Sequence, residues 1–129
     1  MRSRCAKKDR IMRYFNYCEF DSPDELGSGH NMDEDFLQML DDAREFAGVP
    51  FKVTSGYRTE AHNHAVGGSR SSSHLTGLAA DIACGGSRER MKMVTALLHV
   101  GFDRIGIGDG YIHVDADVEK DEAVIWTYY

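Results

Sequence analysis

The chain has 129 residues, of which 42% are hydrophobic and 28% charged, enough for one globular domain with its own core. Its net charge of −6 is uneven, because residues 1–13 hold six of the fifteen Lys and Arg and leave an acidic body. An acidic body disfavours nucleic-acid binding, which needs clustered positive charge. No apolar run approaches the roughly 18–20 residues of a membrane-spanning helix.

The charge distribution also suggests where the folded domain begins. Residues 1–13 are expected to form a basic, disordered extension, and residues 14–129 a single folded domain. The extension lacks the apolar segment of a secretory signal peptide, so we do not interpret it as one. The three cysteines, Cys5, Cys18 and Cys84, have no metal-like spacing and are expected to be free thiols. Cys5 and Cys18 could pair only if the extension is ordered.

The first half of the chain predicts a long helix, a short strand and a short helix. Apolar residues at three-to-four spacing predict a helix from Asp33 to Ala47. A strand is expected over Phe51–Thr54, and Thr59 can cap a helix that runs to Ala65. Small residues at 67–73 then predict a loop.

The second half predicts three strands and one helix. Leu78–Ala83 is apolar enough for a buried strand, and Ser87 is expected to cap an amphipathic helix that ends near Val100. The residues expected on its buried face are Met91, Val94, Leu97 and Leu98. Arg104–Ile107 and Tyr111–Asp115 are predicted hairpin strands, joined by a Gly-Asp-Gly turn.

The order of these elements indicates the fold class. Helices alternate with short strands, and the apolar tail 124–129 is expected to dock on the body. This order predicts an α+β fold, in which a small antiparallel sheet is flanked by helices.

His74 and Asp81 are residue types that bind metal ions, and they stand seven positions apart. On one continuous helix they would be about 10 Å apart along the axis, too far for two bonds of about 2 Å to one ion. We therefore expect the chain to turn at Gly77, so that Asp81 returns on a strand.

A third candidate ligand comes from the predicted strand Tyr111–Asp115. Alternation along a strand places Ile112 and Val114 on one face and His113, with Tyr111 and Asp115, on the other. Two histidines and one carboxylate leave a coordination position open, as in catalytic rather than structural zinc sites.

Five motifs follow one another along most of the chain. They are Ser55-Gly-Tyr-Arg58, His62-Asn63, Val66-Gly-Gly68, Ser72-x-His74-x-x-Gly77-x-Ala-x-Asp81 and His113-Val-Asp115. Together they resemble the zinc D-alanyl-D-alanine carboxypeptidase family, which includes D-Ala-D-Ala dipeptidases, phage endolysins and murein endopeptidases. The resemblance implies a fold similar to the hedgehog signalling domain.

The resemblance also implies roles for individual residues. It makes residues 14–129 a zinc peptidase domain that holds one Zn²⁺ per chain; the implied ligands are His74, Asp81 and His113. Arg58 matches the family arginine that holds a substrate carbonyl or carboxylate, and Ser72 matches a serine lining the substrate cleft. Tyr111, on the face of His113, is expected to contact the substrate as well.

The general base is the point at which the chain departs from the family pattern. Many members carry Glu or Asp three residues before the last histidine, and here that position is Gly110. Asp109, in the adjacent turn, is one alternative. Asp115 is the other, either as the base or as the partner that orients His113.

Two functions remain open from the sequence. The first is a zinc peptidase that hydrolyses peptidoglycan stem peptides, as a carboxypeptidase or an endopeptidase of the phage endolysin type. The second is a cell-wall-binding or signalling-type module that keeps the zinc site with weak or no catalysis. In either case we expect a monomer without nucleic-acid partners or a membrane span. It would be made in the cytoplasm and act on the cell wall after release during phage lysis, or as a virion component.

Overall fold

The computed structural model describes residues 12–129, and its central element is a five-stranded sheet. The strands are β1 (Val53–Ser55), β2 (Ala79–Ala83), β3 (Arg104–Ile107), β4 (Tyr111–Asp115) and β5 (Val124–Thr127). Their order in the sheet is β1-β2-β4-β3-β5. The strand β5, formed by the tail expected to dock on the body, pairs with β3 in parallel, whereas the other neighbours are antiparallel.

Three α-helices accompany the sheet, so the predicted α+β fold is confirmed. They are α1 (Glu34–Ala47), α2 (Glu60–Ala65) and α3 (Ser87–His99). Short 3₁₀ helices lie at Tyr17–Phe20, Ser28–Asn31 and Ser73–Thr76. Within residues 12–129, no helix has the length and apolar character needed to cross a bilayer.

The first two α-helices begin at the residues that the sequence indicates. The Asp33 carboxylate accepts a hydrogen bond from the backbone N–H of Phe36, and the Thr59 hydroxyl accepts one from the N–H of His62. These caps satisfy backbone donors that have no partner inside the first helical turn. The start of the short helix α2 is therefore fixed by its cap Thr59, which directly follows Arg58.

The core joins one face of the sheet to α1 and α3. Its fully buried side chains include Phe36, Leu37, Leu40, Leu97, Ile82, Ile105, Ile112 and Val114. Ile112 and Val114 belong to this core, as the alternation along β4 predicts. The alternate residues of β4 are therefore on the opposite face of the sheet.

The buried face of α3 agrees only in part with the predicted one: Leu97 is buried and Val94 packs against the core, as expected. Met91 and Leu98 are 71% and 48% exposed, whereas Met93, Ala96 and Leu97 are buried. The helix also begins one residue earlier than expected, after Gly86 rather than after a Ser87 cap. Apolar residues occur on two neighbouring stripes of this helix, and contact with α1 and the sheet decides which stripe is buried.

The packed body begins before residue 14. Met12 is buried in the core, and the backbone N–H groups of Arg13 and Tyr14 donate to the Asp41 carboxylate over 3.0 and 2.8 Å. Met12 and Arg13, which the charge distribution places in the extension, therefore contact the packed body. The rest of the expected disordered extension, residues 1–11, lies outside the described residues.

The cysteines agree only in part with the expectation of free thiols. Cys84 is free and buried, but Cys18 is disulfide-bonded, so the expectation is wrong at that position. Cys5 lies outside the described residues.

Gly77 forms the turn predicted between His74 and Asp81. Its φ is +75°, in the left-handed region, and it ends the 3₁₀ helix that carries His74. A Cβ at this position would lie 2.3 Å from the carbonyl oxygen of Asn31. The carbonyl of Gly77 also accepts a 2.9 Å hydrogen bond from the N–H of Asp33, which ties the turn to the start of α1.

We expect Gly77→Ala to destabilise the protein more than Gly48→Ala does. Both glycines have positive φ, but a Cβ at Gly48 meets nothing within 4 Å. Gly48→Ala should therefore cost only the left-handed strain of about 1–2 kcal/mol. Gly77→Ala adds an overlap with backbone that cannot move aside, so its loss should be at least about twice as large. Urea unfolding of both variants measures the difference; equal losses would contradict the close packing at Gly77.

Candidate metal centre and cleft

One row of residues crosses all five strands on the face opposite the core. The register places Ser55 beside Asp81, Asp81 beside His113, His113 beside Gly106, and Gly106 beside Trp126. Gly106 has no side chain, and a Cβ there would lie 2.7 Å from the Trp126 indole nitrogen. The indole of Trp126 therefore occupies the space above Gly106, next to His113.

His74, Asp81 and His113 meet at the middle of this row. Their ligand atoms all lie within 4.8 Å of one another. The Oδ1 atom of Asp81 is 2.9 Å from His113 Nδ1 and 3.4 Å from His74 Nε2. The structure thus brings together the three residues that the sequence indicates as metal ligands, although they come from β2, β4 and a 3₁₀ helix.

The second ring nitrogen of each histidine contacts a protein oxygen. His74 Nδ1 lies 2.7 Å from the carbonyl oxygen of Gly56, and His113 Nε2 lies 2.8 Å from Asp115 Oδ2. These acceptors favour a proton on the outer nitrogens, so in the neutral imidazoles His74 Nε2 and His113 Nδ1 carry the lone pairs that can bind a metal ion. Two imidazole nitrogens and one carboxylate oxygen fit a zinc ion.

Asp115 is buried, and its carboxylate accepts hydrogen bonds from three groups. Besides His113, it accepts bonds at Oδ1 from Arg104 Nε (2.6 Å) and from the backbone N–H of Asp117 (3.2 Å). The Arg104 guanidinium in turn lies over the Trp126 ring, 4.9 Å from its centroid. Asp115 therefore has the geometry of a group that orients His113.

Arg58 reaches the cluster from the segment that follows β1. Its Nε donates to Ser55 Oγ over 3.0 Å and its Nη1 to Asn63 Oδ1 over 3.1 Å. The Nη2 atom lies 3.6 Å from Asp81 Oδ2. These contacts hold the guanidinium in one orientation beside the candidate ligands.

A cleft of about 430 Å³ opens over the cluster. Arg58, Ser72 and Tyr111, the residues expected to bind substrate, all line it. The sequence did not single out four further residues that line it, which are Arg104, Lys120, Trp126 and Tyr128. The alternation of Trp126 and Tyr128 in the apolar tail could have indicated that these two side chains share one face of a strand.

Asp109 lies outside this cleft. It is exposed in the turn between β3 and β4, where it lines a separate cavity with Arg90 and Tyr129. The structure therefore does not bring this expected general base to the ligand cluster, and its catalytic role stays a prediction.

The sequence of the chain matches the model of a known peptidase family. The family model for Peptidase M15 matches residues 14–115. The chain belongs to peptidase family M15. Family membership implies a peptidase, and the His74, Asp81 and His113 cluster is consistent with the zinc site of M15 peptidases. No curated protein matches the chain.

The hydrogen bonds of the cluster of this M15 peptidase change three pKa values. Burial alone raises the pKa of Asp81, but hydrogen bonds with His113 and His74 outweigh it and hold the pKa well below 3.8. Burial lowers the pKa of His113, but hydrogen bonds with Asp115 and Asp81 bring it above 6.5. Asp115 has a lowered pKa because its bonds with His113 and Arg104 outweigh the effect of burial.

We expect the metal-free protein to gain most stability from these groups between about pH 4 and 6.5. The raised pKa of His113 stabilises the fold below 6.5, and this contribution is lost as the pH rises through the folded value. The lowered pKa values of Asp81 and Asp115 stabilise the fold above 3.8, and this contribution is lost as the pH falls through their folded values. Urea unfolding with a chelator present, at a series of pH values, measures how the free energy of unfolding falls below pH 4 and above pH 6.5. His113→Gln should reduce the loss of stability above pH 6.5. An unchanged loss there would contradict its assignment to His113.

Replacing Asp115 should weaken metal binding. Asp115→Asn removes the carboxylate that orients His113, and loss of such a partner costs about 10- to 100-fold in metal affinity. Asp109→Asn is the matched control, because Asp109 is exposed and outside the cleft. Competition with a chromophoric chelator measures the zinc affinity of both variants. Equal affinities would show that Asp115 does not support the metal through His113.

Proposed function

We propose that this M15 peptidase is a zinc metallopeptidase that hydrolyses peptide bonds in peptidoglycan stem peptides. The observation that carries the proposal is the His74, Asp81 and His113 cluster at the base of an open cleft. The motif resemblance to D-alanyl-D-alanine carboxypeptidases supports the substrate class, with D-Ala-D-Ala carboxypeptidase and endopeptidase as its two forms. A phage endolysin-type role, acting on the cell wall after release from the cytoplasm, belongs to the same proposal.

One Zn²⁺ per chain is proposed to bind His74, Asp81 and His113. When bound, zinc polarises a carbonyl group and makes a water molecule nucleophilic near neutral pH. The protein contributes the orientation of its ligands: the Gly56 carbonyl holds one imidazole and Asp115 holds the other. Their lone pairs are thereby directed to one point before the ion arrives.

Three side chains of the cleft are proposed to position the substrate. Arg58 can offer its guanidinium to a substrate carbonyl or carboxylate, because Ser55 and Asn63 already fix its orientation. Burial, followed by the negative charge of Asp81, raises the pKa of Tyr111, so its hydroxyl stays protonated and can donate to a substrate oxygen.

Ser72 is the third of these side chains. Its Oγ accepts a hydrogen bond from the backbone N–H of His74 over 3.2 Å, which fixes the oxygen at the edge of the 3₁₀ helix. The hydroxyl proton is left to donate to a substrate group in the cleft.

One observation favours a second candidate, a cell-wall-binding or signalling-type module that keeps zinc but has weak or no catalysis. The carboxylates among the described residues of the cleft are Asp81 and Asp115. Asp81 is a proposed ligand, and the oxygens of Asp115 are occupied by His113, Arg104 and Asp117. This lining therefore offers no further carboxylate to take a proton from the attacking water.

Digestion of muropeptides tests the two candidates. Purified muropeptides are incubated with the zinc-loaded protein, and the products are identified by mass spectrometry. The peptidase should release peptide fragments, lose this activity with a chelator, and contain about one zinc per chain by elemental analysis. His74→Ala, Asp81→Ala and His113→Ala should each lose both zinc and cleavage.

Other outcomes separate the alternatives. Zinc retained equally by all three variants would contradict the ligand set. Stoichiometric zinc and sedimentation with cell walls, but no fragments, would support the binding module. A kcat about 10²- to 10⁴-fold lower in Asp109→Asn, with zinc retained, would assign the base to the turn despite its position.

A further inference from the structure

The ammonium group of Lys120 forms part of the cleft wall, in the segment that follows β4. Its Nζ donates to Ser73 Oγ over 3.0 Å and lies 3.7 Å from Asp117 Oδ2. Ser73 directly precedes His74 in the chain. The positive charge is therefore held against the 3₁₀ helix that carries one of the proposed metal ligands.

The residues that support this ammonium are buried, whereas the Lys120 side chain is partly exposed and lines the cleft. Ser73 and Asp117 are both buried and share a 2.7 Å hydrogen bond, in which the serine hydroxyl donates. Asp117 Oδ1 also accepts from the backbone N–H of Glu119. The Lys120 side chain is 31% exposed. An ammonium has three donors, and Ser73 takes one of them, so donors remain for a ligand.

The other cations of the cleft have carboxylate partners close to the cluster. Arg104 pairs with Asp115 over 2.6 Å, and Arg58 lies 3.6 Å from Asp81. Lys120 lies 3.7 Å from Asp117, a carboxylate that already accepts two other hydrogen bonds and is not among the residues lining the cleft. Once the cluster holds a divalent cation, these charges make the cleft positive, opposite in sign to the net charge of −6 of the chain. Such a cleft favours an anionic occupant.

We propose that Lys120 binds a free carboxylate of the substrate and makes the cleft selective for acidic peptides. The inference rests on the proposed peptidase function, since peptidoglycan stem peptides carry carboxylates. Arg58 follows β1 and Lys120 follows β4, and both line the same cleft. One peptide can therefore present an oxygen to each cation.

Binding and cleavage of matched peptides test this role. The probes are the synthetic stem peptide L-Ala-D-Glu-L-Lys-D-Ala-D-Ala and two analogues, with either the D-Glu α-carboxylate or the C-terminal carboxylate amidated. Isothermal titration calorimetry and kcat/KM are measured with zinc-loaded protein. Wild type should prefer the acid over one of the two amides, and Lys120→Met should reduce that preference about 10- to 100-fold, as expected for a hydrogen bond to a charged group. The amide that shows the effect identifies the carboxylate.

Two further variants separate binding from folding. Lys120→Arg keeps the charge and should keep most of the preference, whereas Lys92→Met removes an exposed lysine of α3 and should change nothing. An unchanged preference in Lys120→Met would overturn the proposal, whether or not the melting temperature falls. Absence of binding of all three peptides to wild type would overturn it too. A Lys120-dependent preference in binding without cleavage would support Lys120 and contradict the peptidase function.

Discussion

The pairing of β2 with β4 is the constraint on which the cleft depends. This pairing sets Asp81 directly opposite His113, so a carboxylate and an imidazole that are 32 positions apart in the chain lie within hydrogen-bond distance. A shift of β4 by one residue would turn His113 into the core, because alternate residues of a strand point to opposite faces. Ile112 and Val114 oppose such a shift, since it would expose two fully buried side chains. The hydrophobic core therefore determines the position of the polar cluster.

Around this pair, each polar contact places the next. Asp115 orients His113, Arg104 neutralises Asp115, and the Trp126 ring supports the Arg104 guanidinium. A network of this kind is costly to bury unless each member has a partner, because unpaired buried charges lose their hydration. The His74, Asp81 and His113 cluster is consequently preorganised by groups that lie outside it. Substitutions two contacts away from it are expected to change its geometry.

Local patterns made much of the fold, and the approach of His74 to Asp81 and His113, predictable. The caps of α1 and α2, the turn at Gly77 and the alternation along β4 depend on residues close together in the chain. The buried stripe of α3 was not predictable, because Met91 and Leu98 are as apolar as the side chains that pack. Trp126 and Tyr128 reach the cleft because β5 pairs with β3 in parallel, and no short motif encodes that pairing. Adjacency in sequence did not predict position, since Asp109 is next to the family position yet lies outside the cleft.

The place of β5 at the edge of the sheet has a consequence for access to the cleft. This strand has one neighbour, β3, whereas β2 and β4, which carry Asp81 and His113, are central. Edge segments exchange with solvent through local opening at a lower free energy than central strands do. Detachment of β5 would carry Trp126 away while the two central strands stay paired. One side of the cleft can thus widen transiently, and the residues of the His74, Asp81 and His113 cluster need not unfold.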